Sequence, residues 1–155
     1  MTVVRRLRAS DVETLKAMNR LFAEAFDEPE TYLPAPSDAY LERLAARDEF
    51  IALAASVDGD LAGCLVAYEL IKLEQQRSEI YIYDLAVREE YRRRGVATAL
   101  IEALKPIARD CGAWMIFVQA DPPDAPAVAL YNKLGLREEV LHFDISPAAA
   151  LPARG

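Results

Sequence analysis

The sequence predicts an α/β (α+β) fold, a single domain in which a mixed, mostly antiparallel central sheet is flanked by helices. Three observations predict it. Apolar patterning alternates between the strand and helix periods in the order strand, two helices, three strands, helix, strand, helix, strand. A turn dipeptide, Asp58-Gly59, sits between two apolar runs and reads as a hairpin. No repeat or long linker divides the 155 residues, which are enough to bury a core without disulfides or a structural metal. The domain is expected over residues 1–147, with residues 148–155 as a flexible tail.

The first strand is read in VVRRLR, Val3 to Arg8. Ser10 and Glu13 have the spacing of a capping box and open a helix that runs through about Phe26. DEPETYLPAP, Asp27 to Pro36, is rich in proline and acid and is expected to be a loop; Ser37 then caps a second helix to about Arg47. FIALAASV, the Asp58-Gly59 turn and LAGCLVAYEL form the hairpin. SEIYIYDLAV, Ser78 to Val87, is dense in β-branched and aromatic residues and predicts a strand. It runs into the basic turn REEYRRRG and the helix VATALIEALKPIARD, which Pro106 is expected to bend or shorten. AWMIFVQA, Ala113 to Ala120, is a short continuous apolar run that suits a central strand buried on both faces. A turn from Asp121 leads to a helix over about Ala125 to Leu134, with Gly135 as its expected C-cap, and LREEVLHFDI, Leu136 to Ile145, alternates as a last strand.

Charge narrows the partners. With 25 acidic and 18 basic residues the formal charge is -7, which disfavours nucleic acid and suits a positively charged partner. Cys64 and Cys111 lie in apolar stretches without metal-ligand spacing and read as core residues. The first ten residues lack the apolar segment of a signal peptide, and no later run approaches the roughly 18 apolar residues of a membrane span. A cytoplasmic enzyme with no membrane or nucleic-acid partner is the expectation.

The most informative segment is DLAVREEYRRRGVATAL. A strand ends at Val87, and a helix starts near Gly95 with its first N–H groups unpaired and converging on one spot, a geometry that binds phosphate. Gly95 allows close backbone approach, Ala97 adds no bulk, and Arg92, Arg93 and Arg94 supply charge at the rim. A second candidate is Asp84, because a carboxylate inside the apolar run YIYDLAV is unfavourable unless it is paired or functional. Read from the residues alone it is either a catalytic group or a structural one, bonded to backbone or an arginine or marking a β-bulge. Tyr131, on the helix before Gly135, reads from the residues alone as a packed core tyrosine with a satisfied hydroxyl.

These segments resemble the GNAT superfamily, whose pyrophosphate motif is Arg or Gln, two variable residues, Gly, one variable residue, then Gly or Ala; Arg92, Gly95 and Ala97 occupy the three fixed positions. The resemblance implies a GNAT fold and acetyl-CoA as co-substrate, with the pyrophosphate on backbone N–H groups around Arg93, Arg94, Gly95, Val96, Ala97 and Thr98. It implies pantetheine pairing along Leu85, Ala86 and Val87, with Tyr131 as the acid that protonates the departing thiolate. No metal is implied.

SEIYIYDLAV, RRRGVATALIEALK, VQADPPDAPAVALYNKLGLREEV and HFDISP, with FIALAA and DEPETY earlier, are similar to the type I aminoglycoside 3-N-acetyltransferases over nearly the whole chain. That likeness implies acetyl transfer to the 3-amino group of the 2-deoxystreptamine ring of gentamicin-type antibiotics, resistance as the outcome, and a homodimer. Asp84 is then the acceptor-side base. Glu79, Asp121, Asp124 and Asp144 are candidates to meet the amines of a cationic aminoglycoside, and Asp27 to Glu30 form a possible mobile wall. Asp124 also reads as a helix cap and Asp121 as a turn residue. His142 is read as structural or surface, and Trp114, Tyr81 and Tyr83 mainly as packing, with either tyrosine a possible lining of the acceptor groove. Two other readings stay open: a GNAT enzyme of another amine, such as a polyamine or protein amino group, and a non-catalytic acyl-CoA sensor.

Overall fold

The computed structural model describes residues 1–148. Five strands form one sheet in chain order: β1 (Thr2–Arg6), β2 (Phe50–Val57), β3 (Asp60–Ile71), β4 (Ser78–Val87) and β5 (Ala113–Val118). The first four pair antiparallel, and β5 joins β4 in parallel through a helical crossover, so the sheet is mixed and mostly antiparallel as expected. The helices are α1 (Val12–Phe26), α2 (Pro29–Tyr32), α3 (Asp38–Ala45), α4 (Val96–Cys111) and α5 (Ala125–Leu134). The chain groups into two compact units, residues 1–119 and the residues from 120 on. Among the described residues no helix is long and apolar enough to cross a membrane.

Local chemistry explains most boundaries. The β2–β3 hairpin closes on Asp58 and Gly59, both at positive φ, 53° and 89°, the conformation a two-residue turn needs to match the strand twist. Ser37 accepts from the Tyr40 amide at 3.2 Å and caps α3. Gly112, at φ 83°, ends α4 in the left-handed region. Pro106 lies inside α4 without ending it, and the helix continues to Cys111.

Alternation along β2 sorts the core into two layers. Phe50, Ala52 and Ala54 join Cys64 and Ala86 in a cluster with Leu15, Met18, Leu21 and Phe22 of α1 and Leu41 of α3. Ile51 and Leu53 point the other way, toward the layer where α4 buries Val96, Leu100 and Leu104. One helix layer therefore covers each face.

Several expectations are corrected. No capping box starts α1: Asp11 is the N-cap residue, and its carboxylate accepts from the Arg8 amide at 2.7 Å and pairs with Arg5 at 3.0 Å, outside the helix. The loop after α1 contains a helical turn, α2, with Pro29 at its first position, where the missing N–H is of no consequence. β5 is an edge strand and not a central one. Leu136 to Ile145 forms no strand among the described residues; alternation specifies which side a residue faces, while a strand also needs a partner edge. Gly135 is extended, at φ -151°, so it ends α5 without a left-handed cap, and its amide bonds the Tyr131 carbonyl at 2.9 Å. The expected tail falls almost wholly on residues 149–155, outside the described residues.

Candidate active site

The site is built on the second half of β4. Before Tyr83 the register pairs Tyr81 with Tyr68 and Ile82 with Ala67; after it, Asp84 pairs with Val66 and Ala86 with Cys64. Tyr83 is thus an extra residue, a β-bulge, and it shifts the alternation by one. Ile80 and Ile82 belong to the α4 face, yet Asp84 and Ala86 fall on the α1 face with Val66, Cys64 and Tyr68. Without the bulge, the Asp84 carboxylate would point into the α4 core. With it, Asp84 joins a row of aromatic rings: Tyr68 and Tyr83 meet edge to face at 6.0 Å, Tyr81 and Tyr83 at 5.7 Å, and Tyr81 stacks on Phe117 at 4.7 Å.

Asp84 is half-buried, and burial pushes its carboxyl above the usual carboxylate range. A hydrogen bond from the Tyr32 hydroxyl, 3.0 Å from Oδ1, pulls the other way, and Glu28 adds to the rise. A carboxylate so held is a better proton acceptor than one with an ordinary pKa.

Beyond Ile82, β4 parts from β5: the last parallel pair is Ile82 with Val118, and among the described residues no strand pairs with residues 83–87 on that side. Leu85, Ala86 and Val87 remain paired to β3 through Leu65, Cys64 and Gly63. One edge of this stretch is therefore open, where the sequence resemblance implies pantetheine.

The turn after β4 leads to the helix start. A 3-10 turn spans Glu89–Tyr91, Arg93 and Gly95 adopt positive φ, 61° and 76°, and α4 begins at Val96 with Gly95 as N-cap and no side-chain cap. The first intrahelical bond runs from the Ala99 amide to the Gly95 carbonyl at 2.9 Å, so the amides of Val96, Ala97 and Thr98 lie ahead of the ladder. Of the three arginines, Arg92 turns back so that its Nε donates to the Val87 carbonyl at 3.3 Å, and Arg94 lies over the Tyr91 ring at 5.3 Å. A cleft of about 300 Å³ opens between α1 and this turn, lined by Leu21, Ala25, Arg88, Glu89 and Arg92 among others. Among the described residues, the buried Nε of Arg88 has no hydrogen-bond partner. An uncapped helix start, an open strand edge and an unpartnered guanidinium nitrogen beside a cleft fit a phosphorylated, amide-bearing ligand such as CoA.

Gly63 sets the spacing of this region and escaped the sequence reading. A Cβ there would lie 2.9 Å from Val96 Cγ1 and 3.0 Å from the Ala86 carbonyl, so only glycine lets the first residue of α4 rest against β3. Gly63→Ala is expected to destabilise the fold by about 1–3 kcal/mol in chemical denaturation and to raise the KM for acetyl-CoA. Gly95 has open space around it, but its φ of 76° penalises any side chain. Gly95→Ala should weaken acetyl-CoA binding roughly fivefold to thirtyfold, the equivalent of about 1–2 kcal/mol of backbone strain, as read by calorimetry.

The remaining candidates separate. Glu79 lies five residues back along β4, where it accepts from Trp114 Nε1 at 3.2 Å and pairs with Lys72 at 3.5 Å. In the second unit, Asp124 caps α5 by accepting from the Ala127 amide at 3.3 Å, and the Asp121 carbonyl accepts from the Asp124 amide at 2.9 Å. Asp144 pairs with His142 at 2.7 Å. Tyr131 of α5 is pushed up to about 12 by burial and by Asp124. Sequence reading gave Tyr32 no role; the one local signal was the EPET start, Pro at the first helical position followed by Glu.

The chain is similar to several known acetyltransferases. An N-alpha-acetyltransferase of Sulfurisphaera tokodaii (strain DSM 16993 / JCM 10545 / NBRC 100140 / 7) is 30% identical over 142 residues, covering 87% of this chain and 80% of the relative. An L-amino acid N-acetyltransferase of Escherichia coli (strain K12) is 29% identical, covering 88% of this chain and 83% of the relative. The crystal structure of an aminoglycoside acetyltransferase from an uncultured soil metagenomic sample superposes with a TM-score of 0.93 at 54% identity, covering 96% of this chain and 99% of that one. A second soil-metagenome aminoglycoside acetyltransferase, in complex with sisomicin, gives a TM-score of 0.87 at 27% identity, covering 94% and 95%. Residues 15–136 match the acetyltransferase (GNAT) family, and the chain is a member of that family, an acetyl-transferring enzyme.

Proposed function

We propose that this enzyme acetylates aminoglycosides, at the 3-amino group of the 2-deoxystreptamine ring, with acetyl-CoA as donor. The observation that carries the reading is the half-buried Asp84 carboxylate on an aromatic-lined face, beside the acidic segment Asp27 to Glu30. It is supported by 54% identity over almost the full chain to an aminoglycoside acetyltransferase. The 3-amino position follows from the sequence resemblance stated above.

Acetyl-CoA supplies an activated thioester. The amides of residues 93–98 hold its diphosphate, and the open edge of Leu85 to Val87 holds its pantetheine arm. An amine attacks only as the free base, while acidic walls that bind a cation also favour its protonated form. Asp84 resolves that conflict by taking the amine proton, directly or through one water. Backbone N–H groups near Leu85 to Val87 steady the oxyanion, and Tyr131 returns a proton to the thiolate.

The test is incubation with acetyl-CoA and, separately, gentamicin, spermidine, a peptide with a free N-terminus and free amino acids. The expected result is thiol release with gentamicin, with NMR placing the acetyl group on the 3-amino nitrogen. Turnover confined to the peptide, the polyamine or amino acids would replace the aminoglycoside reading with that of another amine. Tight acetyl-CoA binding without turnover of any of them would make the protein an acyl-CoA sensor.

A further inference from the structure

Resting on the reading of Asp84 as the base, we infer that Tyr32 is a positioning residue of the site: its hydroxyl fixes one oxygen of the Asp84 carboxylate and keeps that group ionised, leaving the second oxygen for the amine. The contact spans 52 positions of sequence and joins the short helix α2 to the bulged part of β4, at 3.0 Å between Tyr32 Oη and Asp84 Oδ1.

The environment of Asp84 makes this bond decisive. Glu28 faces it from the start of α2, Cys64 and Tyr68 from β3, and Tyr81 and Tyr83 from β4. Every one of these is acidic or neutral. Among the described residues no cation is paired with Asp84, and Tyr32 is the side chain that donates to it. Burial and Glu28 both favour the protonated acid, which cannot accept a proton from the amine. One phenolic donor opposes them.

Tyr32 is itself held for the task. Its ring packs against Phe22 at 5.5 Å and Phe26 at 5.9 Å, and those two stack at 5.7 Å, so three rings from the end of α1 and from α2 fix where the hydroxyl points. Burial and the neighbouring carboxylate raise the Tyr32 phenol well above its ordinary value, which keeps it a donor across the working pH range. The same packing anchors α2, whose N-cap residue Glu28 acts on Asp84.

Tyr32→Phe keeps the ring and removes only the donor. The expected result is an upward move of the Asp84 carboxyl titration, followed by carbon NMR with Asp84→Asn as the assignment control, and a matching upward move of the acid limb of kcat/KM. At the acid end kcat/KM should fall about tenfold, the size of one hydrogen bond to a charged group. Near the alkaline plateau it should fall little, and the KM for acetyl-CoA should hold. In an Asp84→Asn background the same substitution should add no further loss. An Asp84 titration that does not move in Tyr32→Phe, in an enzyme that depends on Asp84, overturns this inference alone. Full turnover by Asp84→Asn overturns the reading of Asp84 as base and the catalytic half of the inference with it, while the NMR titration still decides whether Tyr32 holds the carboxylate.

Discussion

Asp84→Asn is expected to lower kcat by about 10²–10³, the usual share of a general base, and to raise the thermal midpoint of the same protein by about 1–3 °C. Both effects have one source. The carboxyl is pushed above its usual range, chiefly by burial. The folded chain therefore binds that proton more tightly than the unfolded one, and the ionised form opposes folding. Asparagine keeps an oxygen for the Tyr32 hydroxyl and removes the buried charge. The stability gain should be complete above the folded-state pKa and vanish as pH falls below the ordinary carboxylate range, where both states carry the proton. The activity loss should be largest where the wild-type carboxylate is ionised and should shrink as pH falls through its raised titration, where the wild type loses the base as well. Calorimetry across pH and initial rates on one preparation check the two together. A loss of both activity and stability would mark Asp84 as a structural residue.

The same residue shows what could be read from sequence. The strand Ser78–Val87 was legible from its run of β-branched and aromatic residues, and Asp84 was conspicuous as the one carboxylate within its second half. Its direction was not legible. Simple alternation puts Asp84 with Ile80 and Ile82, and only the bulge at Tyr83 turns it to the face of Tyr68 and Ala86. A bulge is set by pairing with β3, a relation between strands that no local pattern carries. Tyr32 was hidden for a similar reason: a one-turn helix in a proline-rich acidic stretch has little intrinsic stability, and its order comes from rings of α1. The uncapped start of α4 was legible because it depends on local chemistry, a glycine at positive φ and a small following residue. Leu136 to Ile145 erred in the other direction, since its alternation was clear and its strand did not form.

The acid half of the reaction makes the second large prediction. Tyr131→Phe is expected to lower kcat by about 10²-fold, the low end of the range for a lost proton donor, while the KM for acetyl-CoA stays near its original value. Tyr131 is partly buried in the second unit, and burial with Asp124 pushes its phenol up to about 12. A phenol in that state is protonated at every pH at which the amine is reactive, so it is always ready to donate and adds no basic limb to the pH profile below about pH 10. The shape of the profile should therefore be the same in wild type and in Tyr131→Phe, with only its height reduced, whereas Tyr32→Phe should move the acid limb and leave the plateau. The two tyrosines are thus separable by pH dependence. Height and position of the curve report donation to the thiolate and ionisation of the base, respectively. A Tyr131→Phe enzyme with unchanged kcat and a lowered thermal midpoint would assign Tyr131 to packing, and the thiolate would then take its proton from elsewhere.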